Sequence, residues 1–495
     1  MNELYATPRE AAVIDIGSNS VRMVLYRLEG RAIWTVFNEK MLAGLGRDLP
    51  ETGRLSPAGV EMAMATLRRF AAVLEGVRPA YTFVAATAAV REAEDGPDFC
   101  GRVAAVTGLK VRVLSGEEEA KYAALGVLAG EPRSTGVAAD MGGSSLELIK
   151  VGDGAATAGV TLPLGPFSLA DPKGFDAGRL RTTIAERLKP AAKRFSASEL
   201  HAVGGGWRSL AQLHMEMSDY PLRIVHQYAM SAEDARGVAR LVAQQSRASL
   251  DRWPGVSKRR AETLPYAALV LEGLIEALGL KTITFSAWGL REGLLYETLD
   301  QDEAPVDPLI AGAAALGARQ GISPALPAAL NAWLGDVIAA LPEAFGRDRD
   351  AVLAAAACRL ADLGARLHPD HRLELVFDQV LRAPIPGQTH PERVWLACVL
   401  NARYGGNAAT PAPAVVDRLL SDDARASARA LGLAMRLGCD LSGRSPQLLA
   451  NASVTVKGGA LKLTASDGYA DVLLGEQTRR RAKALAEAMG LKLEI

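Results

Sequence analysis

Two short segments carry the residue types that phosphate chemistry needs. One reads Ile14-Asp15-Ile16-Gly17-Ser18-Asn19-Ser20-Val21-Arg22, the other Ala139-Asp140-Met141-Gly142-Gly143-Ser144-Ser145-Leu146-Glu147. Asp, Gly and Ser recur at the same offsets: Asp15 with Asp140, Gly17 with Gly142, Ser20 with Ser145. Each segment reads as an apolar strand, a tight polar turn and a second strand, the pattern of a β-hairpin. The turn glycines remove the side chain where a ligand approaches the backbone. The Ser, Asn and Gly residues that follow offer successive N–H groups with hydroxyl or amide donors, which is the chemistry of an anion-binding nest. Asp15 and Asp140 fall at strand ends, pointing toward one cleft if the two segments face each other. Two carboxylates beside a phosphate repel it unless a divalent cation lies between them, and magnesium prefers such oxygen ligands. The bland alternative is that both Asp residues cap their own turns.

Other candidates are less distinctive. Arg22 and Arg91 offer planar forks suited to phosphate oxygens. Arg22 also reads as an ordinary outward-facing strand residue, whereas Arg91 follows Ala85–Val90, which begins at a strand end where α/β clefts gather ligands. Glu117, Glu118 and Glu119 open a helix, where acidic residues already suit the positive end of the macrodipole. Position relative to the cleft decides whether one of them is a base.

The elements that must hold these residues come in two similar successions. A third strand follows each hairpin, Ala32–Phe37 in the first and Ala155–Leu162 in the second. After the first, Leu55–Glu75 has apolar residues at helical spacing behind a Ser56-Pro57 start. Tyr81–Ala85 and Lys110–Leu114 read as strands and Gly116–Leu128 as a helix. The pattern predicts an α/β domain met twice, the second copy ending near Leu299. A linker at Pro305–Pro308 precedes an Ala- and Leu-rich, all-helical stretch to about Leu441. Ser453–Lys457 and Ala460–Thr464 around Gly458-Gly459 predict a hairpin, followed by a helix with Arg479, Arg480 and Arg481 and a last strand at Leu491–Ile495.

With 495 residues the chain is too long for one core. Its formal net charge is zero, so a polyanionic partner must meet a local basic surface. The Arg479–Arg481 run and Lys258-Arg259-Arg260 could guide such a chain, though charge runs on helices are more often solvated faces. Cys100, Cys358, Cys398 and Cys439 are widely spaced and form no C-x-x-C pair, so nothing suggests a zinc site or a disulfide framework, and a reducing cytoplasm fits. The start MNELYATPRE lacks a signal pattern and no apolar run is long enough to span a membrane. The expectation is a soluble, cytoplasmic protein. No Walker A loop points to a P-loop enzyme.

At this point the residues resemble the exopolyphosphatase and guanosine pentaphosphate phosphohydrolase family (Ppx/GppA). The motifs AVIDIGSNSVRMVLY, ATAAVREA, SGEEEAKYAALGV, DMGGSSLEL, VGGGWRSLA and SAWGLREGLLYE occur in the family's order, from about Ala11 to Glu297. The resemblance implies two duplicated actin-like, RNase H-like domains of the acetate and sugar kinase/actin superfamily, here 1–127 and 128–303. A helical, degenerate HD-like domain at 304–445 and a small α/β tail at 446–495 would follow. It implies that Glu119 is the general base for the attacking water. Asp15, Asp140 and Glu147 are implied as carboxylates for Mg2+ and water positioning, Asp140 also counting as catalytic. Ser18, Asn19, Ser20 and Arg22 match the first phosphate loop, and Gly142, Gly143, Ser144 and Ser145 the second. Arg91 matches the family's phosphate-contacting arginine, and Gly204, Gly205 and Gly206 a third glycine turn.

Three departures stand out. The second phosphate loop commonly has a third glycine where this chain has Ser144. Trp207 and Arg208 follow the third glycine turn, where relatives often have small residues or Thr; Trp207 either narrows a nucleoside pocket or packs beneath the turn. The His-Asp pair expected in the HD-like region reads Ala361-Asp362, and His368, His371 and His390 have no convincing ligand spacing.

The expected activity is release of terminal orthophosphate from inorganic polyphosphate by a magnesium-dependent homodimer, without nucleic acid or membrane as partner. The near alternative is guanosine pentaphosphate hydrolysis, giving the tetraphosphate. A non-catalytic nucleotide-binding regulator would not need a base and metal carboxylates together. A kinase relative would need an adenosine pocket and an acceptor site that the sequence does not display.

Overall fold

The computed structural model describes residues 7–171, 174–253, 258–321, 323–406 and 408–495. Met1–Ala6 and the side chains of Lys258 and Arg259 lie outside the described residues. The chain forms two compact units: Thr7–Glu29 with Ile33–Pro305, and, among the described residues, Gly30–Ala32 with Val306–Ile495.

The larger unit begins with β1 (Arg9–Ile16), β2 (Val21–Glu29) and β3 (Ala32–Met41), then α1 (Pro57–Val77), β4 (Tyr81–Ala86), α2 (Ala88–Glu92), β5 (Arg112–Val113) and α3 (Gly116–Gly130). Its strands form one sheet in the order β3-β2-β1-β4-β5. The chain repeats this plan with β6 (Gly136–Met141), β7 (Leu146–Gly152), β8 (Ala155–Ala156), β9 (Val160–Leu162), β10 (Glu199–Val203), α4 (Gly205–Met217), β11 (Tyr228–Ser231), α5 (Lys258–Leu278), β12 (Thr282–Phe285) and α6 (Leu290–Tyr296). The second sheet runs β11-β12-β10-β6-β7-β8, with β9 also paired to β7. In each sheet an antiparallel hairpin (β1–β2, β6–β7) abuts a parallel strand (β4, β10), which abuts another parallel strand (β5, β12). This is the duplicated actin-like fold. The echo between the two sequence segments is therefore an echo of topology. The third strand of the second copy is broken into β8 and β9, and β5 is shorter than the alternating run suggests.

Strand parity explains where the carboxylates go, because successive side chains point to opposite faces. On β1, Ala12, Ile14 and Ile16 bury into a core with Leu67 and Phe70 of α1. Ala11 and Val13 bury on the other face with Tyr122 of α3 and Leu294 of α6, and Asp15 shares their parity. On β6 and β7, Ala138, Ile149 and Val151 pack against Ala120, Ala124 and Val127 of α3, and Asp140 and Glu147 share that parity. One helix, α3, is thus packed by the face of each sheet that carries the carboxylates. Glu119 sits in its first turn, behind a Ser115–Glu118 capping box that fixes where the helix begins.

The smaller unit is mostly helical, as the periodicity predicts. It includes α7 (Arg347–Arg359), α8 (His390–Gly405) and α9 (Asp422–Leu441), then β13 (Ala452–Lys457), β14 (Ala460–Ala465), α10 (Glu476–Ala488) and β15 (Lys492–Glu494). The Gly458-Gly459 turn has positive φ at both residues, as a two-residue hairpin of this twist requires. The buried Asp362 pairs with Arg444 at 3.3 Å, while His368 and His371 are exposed and His390 is buried. Asp362 thus already has a protein cation. No helix among the described residues is long and apolar enough to cross a membrane.

Candidate active site

The two hairpin turns close in the same way. Gly17 N–H donates to Ser20 O at 2.9 Å, and Gly142 N–H donates to Ser145 O at 3.0 Å. The loops also meet each other. Ser144 Oγ donates to Ser18 Oγ at 3.2 Å, and a Cβ on Gly143 would lie 3.0 Å from that of Ser18. Gly143 thus sits in close approach to Ser18, and Ser144 supplies the hydroxyl that ties the loops.

Around them opens a cleft of about 270 Å³, the cavity expected to take a small anionic ligand. Asp15, Gly17, Ser18, Asn19, Ser20, Arg22, Glu119, Asp140, Gly142, Gly143, Ser145, Gly205 and Gly206 all line it. Lys40, Thr87, Arg208, Arg260 and Arg291 line it as well. With Arg22 the cleft therefore has five cationic side chains against the carboxylates of Asp15, Glu119 and Asp140. In a chain of zero net charge this is a local basic surface. Lys40 and Arg291 carry no signal in the sequence. Lys40 stands far from any motif, and Arg291 lies inside SAWGLREGLLYE without a distinctive neighbour.

Glu119 is buried and its carboxyl is pushed up to about 7, chiefly by burial, against the opposing pull of Arg91 and with help from Asp140 and Asp15. Arg91 Nη1 donates to Glu119 Oε2 at 3.0 Å and to the Leu114 carbonyl at 2.8 Å. The arginine matched to a phosphate contact is therefore occupied with the base.

The cross-strand registers distinguish the two halves. Asp15 stands opposite Arg22, whereas Asp140 stands opposite Glu147. Asp15 also accepts from Arg291 Nη1 at 3.0 Å. Burial works against the charge of Arg291, but Glu292, Tyr26 and Asp15 hold it more firmly protonated than usual. Across the Asp140–Glu147 pair no cation stands opposite in the register, Arg291 and Arg91 offset the burial of the two carboxyls only in part, and like charges directly opposite are destabilising. Burial and then Asp15 push Asp140 up to about 6. Burial, Glu119 and Asp140 hold Glu147 well above the carboxylate range against a weaker pull from Ser145 and Arg91, and neither of its oxygens meets a partner at full hydrogen-bond geometry. Orphaned, buried carboxylate oxygens facing a second carboxylate are the donor set a hard divalent cation satisfies. Among the described residues no group of three or more His, Cys, Asp and Glu forms a ready-made metal cluster. A magnesium ion here would thus be completed by other oxygens, such as those of a phosphate.

Trp207, the bulky residue after the third glycine turn, is fully buried, and its Nε1 donates to Ala267 O at 2.9 Å. Of its two readings, packing beneath the turn is the one observed.

The chain is similar to known proteins along most of its length. A sequence profile of the Ppx/GppA phosphatase family matches residues 24–302, and one described as exopolyphosphatase, C-terminal matches residues 309–495. Exopolyphosphatase 1 of Mycobacterium tuberculosis is 29% identical over 307 residues, covering 59% of this chain and 88% of the relative. Exopolyphosphatase 1 of Mycobacterium bovis matches to the same extent. A Ppx/GppA family member from Aquifex aeolicus superposes with a TM-score of 0.53 at 24% identity, covering 58% of this chain and 97% of that one. An exopolyphosphatase from Cytophaga hutchinsonii superposes at 0.55 and 22% identity, covering 59% and 98%. At these identities the structures speak for the fold alone. The profile spans more than half of the sequence and runs through the second hairpin loop and the Glu119 helix: the chain belongs to the Ppx/GppA phosphatase family.

Proposed function

We propose that this chain is an exopolyphosphatase, releasing terminal orthophosphate from inorganic polyphosphate by attack of water. The observation that carries the reading is Glu119, a buried carboxyl poised at about 7 that opens on a cleft with five cationic side chains. A base with a pKa near neutrality is suited to general base catalysis. A phosphate chain needs donors and cations along its length and no aromatic base pocket. The names of the mycobacterial relatives and the description of the C-terminal profile support polyphosphate as the substrate.

In this reading Glu119 takes a proton from water as the water oxygen bonds to the terminal phosphorus. The bridging P–O bond breaks in line, giving orthophosphate and a chain shorter by one phosphate. The N–H and hydroxyl groups of the 17–20 and 142–145 loops hold the oxygens of the transferring group, and the arginines and Lys40 hold the phosphates behind it. Arg91 aims the Glu119 carboxylate. Asp140 and Glu147, with the remaining capacity of Asp15, would hold Mg2+, which when bound supplies charge neutralisation at the phosphoryl oxygens. A homodimer is part of the proposal, and sedimentation of the purified chain checks it.

The test is phosphate release from long-chain polyphosphate and from guanosine pentaphosphate, compared at equal concentration of terminal phosphates. Preference for polyphosphate supports the reading. Preference for guanosine pentaphosphate replaces it with the nucleotide phosphohydrolase, and binding without release by a folded protein would leave a regulator.

A further inference from the structure

Beneath the cleft lies a buried polar network that no step above uses. Glu292, in the first turn of α6, is buried with both oxygens engaged. Its Oε2 accepts from the Gly289 N–H at 3.0 Å, closing the start of the helix. Its Oε1 accepts from the Tyr26 hydroxyl at 2.6 Å, and Tyr26 is a buried residue of β2 in the first sheet. A carboxylate holding two buried donors from segments 263 residues apart in sequence is an anchor with a fixed geometry.

What it anchors is the meeting point of the three carboxylates. Gly289 abuts the second sheet: a Cβ there would lie 2.6 Å from Val203 Cγ1 and 3.8 Å from Asp140 Oδ2. Arg291, the neighbour of Glu292, donates to Asp15 at 3.0 Å. The helix itself lies against α3, which carries Glu119. A Cβ on Gly293 would stand 1.9 Å from the Tyr122 carbonyl oxygen, and one on Gly126 would stand 2.0 Å from the Gly289 carbonyl oxygen. The start of α6 therefore runs close beside Asp140, binds Asp15 and braces the Glu119 helix at once.

Resting on the exopolyphosphatase reading, we propose that Glu292 is a positioning residue, which together with Tyr26 sets the first turn of α6 and through it the mutual spacing of Asp15, Asp140 and Glu119. It touches neither substrate nor reacting atoms. Its loss changes the alignment reached in the transition state more than the binding of the phosphate chain, which the loops and the cleft cations provide.

The test compares wild type, Glu292→Gln and Tyr26→Phe on polyphosphate and guanosine pentaphosphate, with folding of each checked by circular dichroism and melting. Tyr26→Phe removes one hydroxyl and keeps the ring, so it stays folded even if Glu292→Gln does not. The expected result is a kcat lower by about tenfold or more in Glu292→Gln and about threefold or more in Tyr26→Phe, with KM within about twofold of wild type. A merely structural role would lower the melting temperature while leaving kcat per folded molecule unchanged, and that outcome overturns the proposal. So does a rise in KM at unchanged kcat. A wild type inactive on both substrates refutes the hydrolase reading, and the inference with it, whereas an active wild type with indifferent variants refutes the inference alone.

Discussion

Arg91 places a guanidinium nitrogen 3.0 Å from Glu119 Oε2, yet the Glu119 carboxyl is still held at about 7. Burial outweighs the ion pair. The consequence for catalysis is direct, because a base must be deprotonated to work. Activity in kcat/KM should rise with pH through about 7 and level off above it. Replacing Arg91 by Met removes the one group pulling the carboxyl down, so the acidic limb should move to higher pH and the plateau should fall. A pH–rate profile of the two proteins checks both.

The same shift predicts a stability change. The folded pKa of Glu119 lies above its unfolded value of 4.5, so between 4.5 and about 7 the folded state binds the extra proton. Stability from this group is full below 4.5 and falls as pH rises through 7. Glu119→Gln should therefore be more stable than wild type at pH 8 in the absence of divalent cation, by on the order of 3 kcal/mol, and match it more closely at pH 4. Thermal melts at the two pH values give the comparison.

Asp140 and Glu147 face each other across β6 and β7, and the buried oxygens of Glu147 are where the proposed magnesium ion would be held. Glu147→Gln removes a carboxyl that burial drives out of its charged form when no cation is bound. It should raise the magnesium concentration for half-maximal activity by about tenfold or more, while making the metal-free protein more stable. A magnesium titration of activity, paired with melts in chelator, separates the two effects. Loss of activity at unchanged magnesium dependence would place the ion elsewhere.

Lys40 is held down to about 8, first by burial and then by Arg260 and Arg22. Above that pH it loses its charge, and a phosphate chain loses one partner. KM for polyphosphate should rise with pH beyond about 8, and Lys40→Met should raise KM several-fold and flatten that rise. KM measured at pH 7 and pH 9 decides it.

Much of this site was legible because its chemistry is local. The D-x-G-x-x-S spacing is one hairpin turn, so the sequence echo of Asp15–Ser20 and Asp140–Ser145 translates into the same hydrogen bond, made twice. The first turn of α3 was equally readable from Ser115 and the glutamates behind it. What sequence could not show depends on contacts between distant segments. Arg91 reads as a phosphate partner until the fold brings Glu119, 28 residues later, within its reach. Lys40 and Arg291 become cleft residues only when both sheets flank α3. Trp207 offered two readings from its neighbours alone, and only the Ala267 carbonyl distinguishes them. The broken third strand, β8 and β9, left no mark beyond the small residues between Ala155 and Val160.

The central claim is that Glu119 activates water in this cleft. The measurement that reaches it most directly is orthophosphate release from long-chain polyphosphate with magnesium, by wild type and by Glu119→Gln of equal foldedness. Release by wild type that falls by about a hundredfold or more in the variant, with polyphosphate still bound, is the result expected. Equal rates would contradict the role given to Glu119, and no release by a folded, magnesium-loaded wild type would contradict the activity itself.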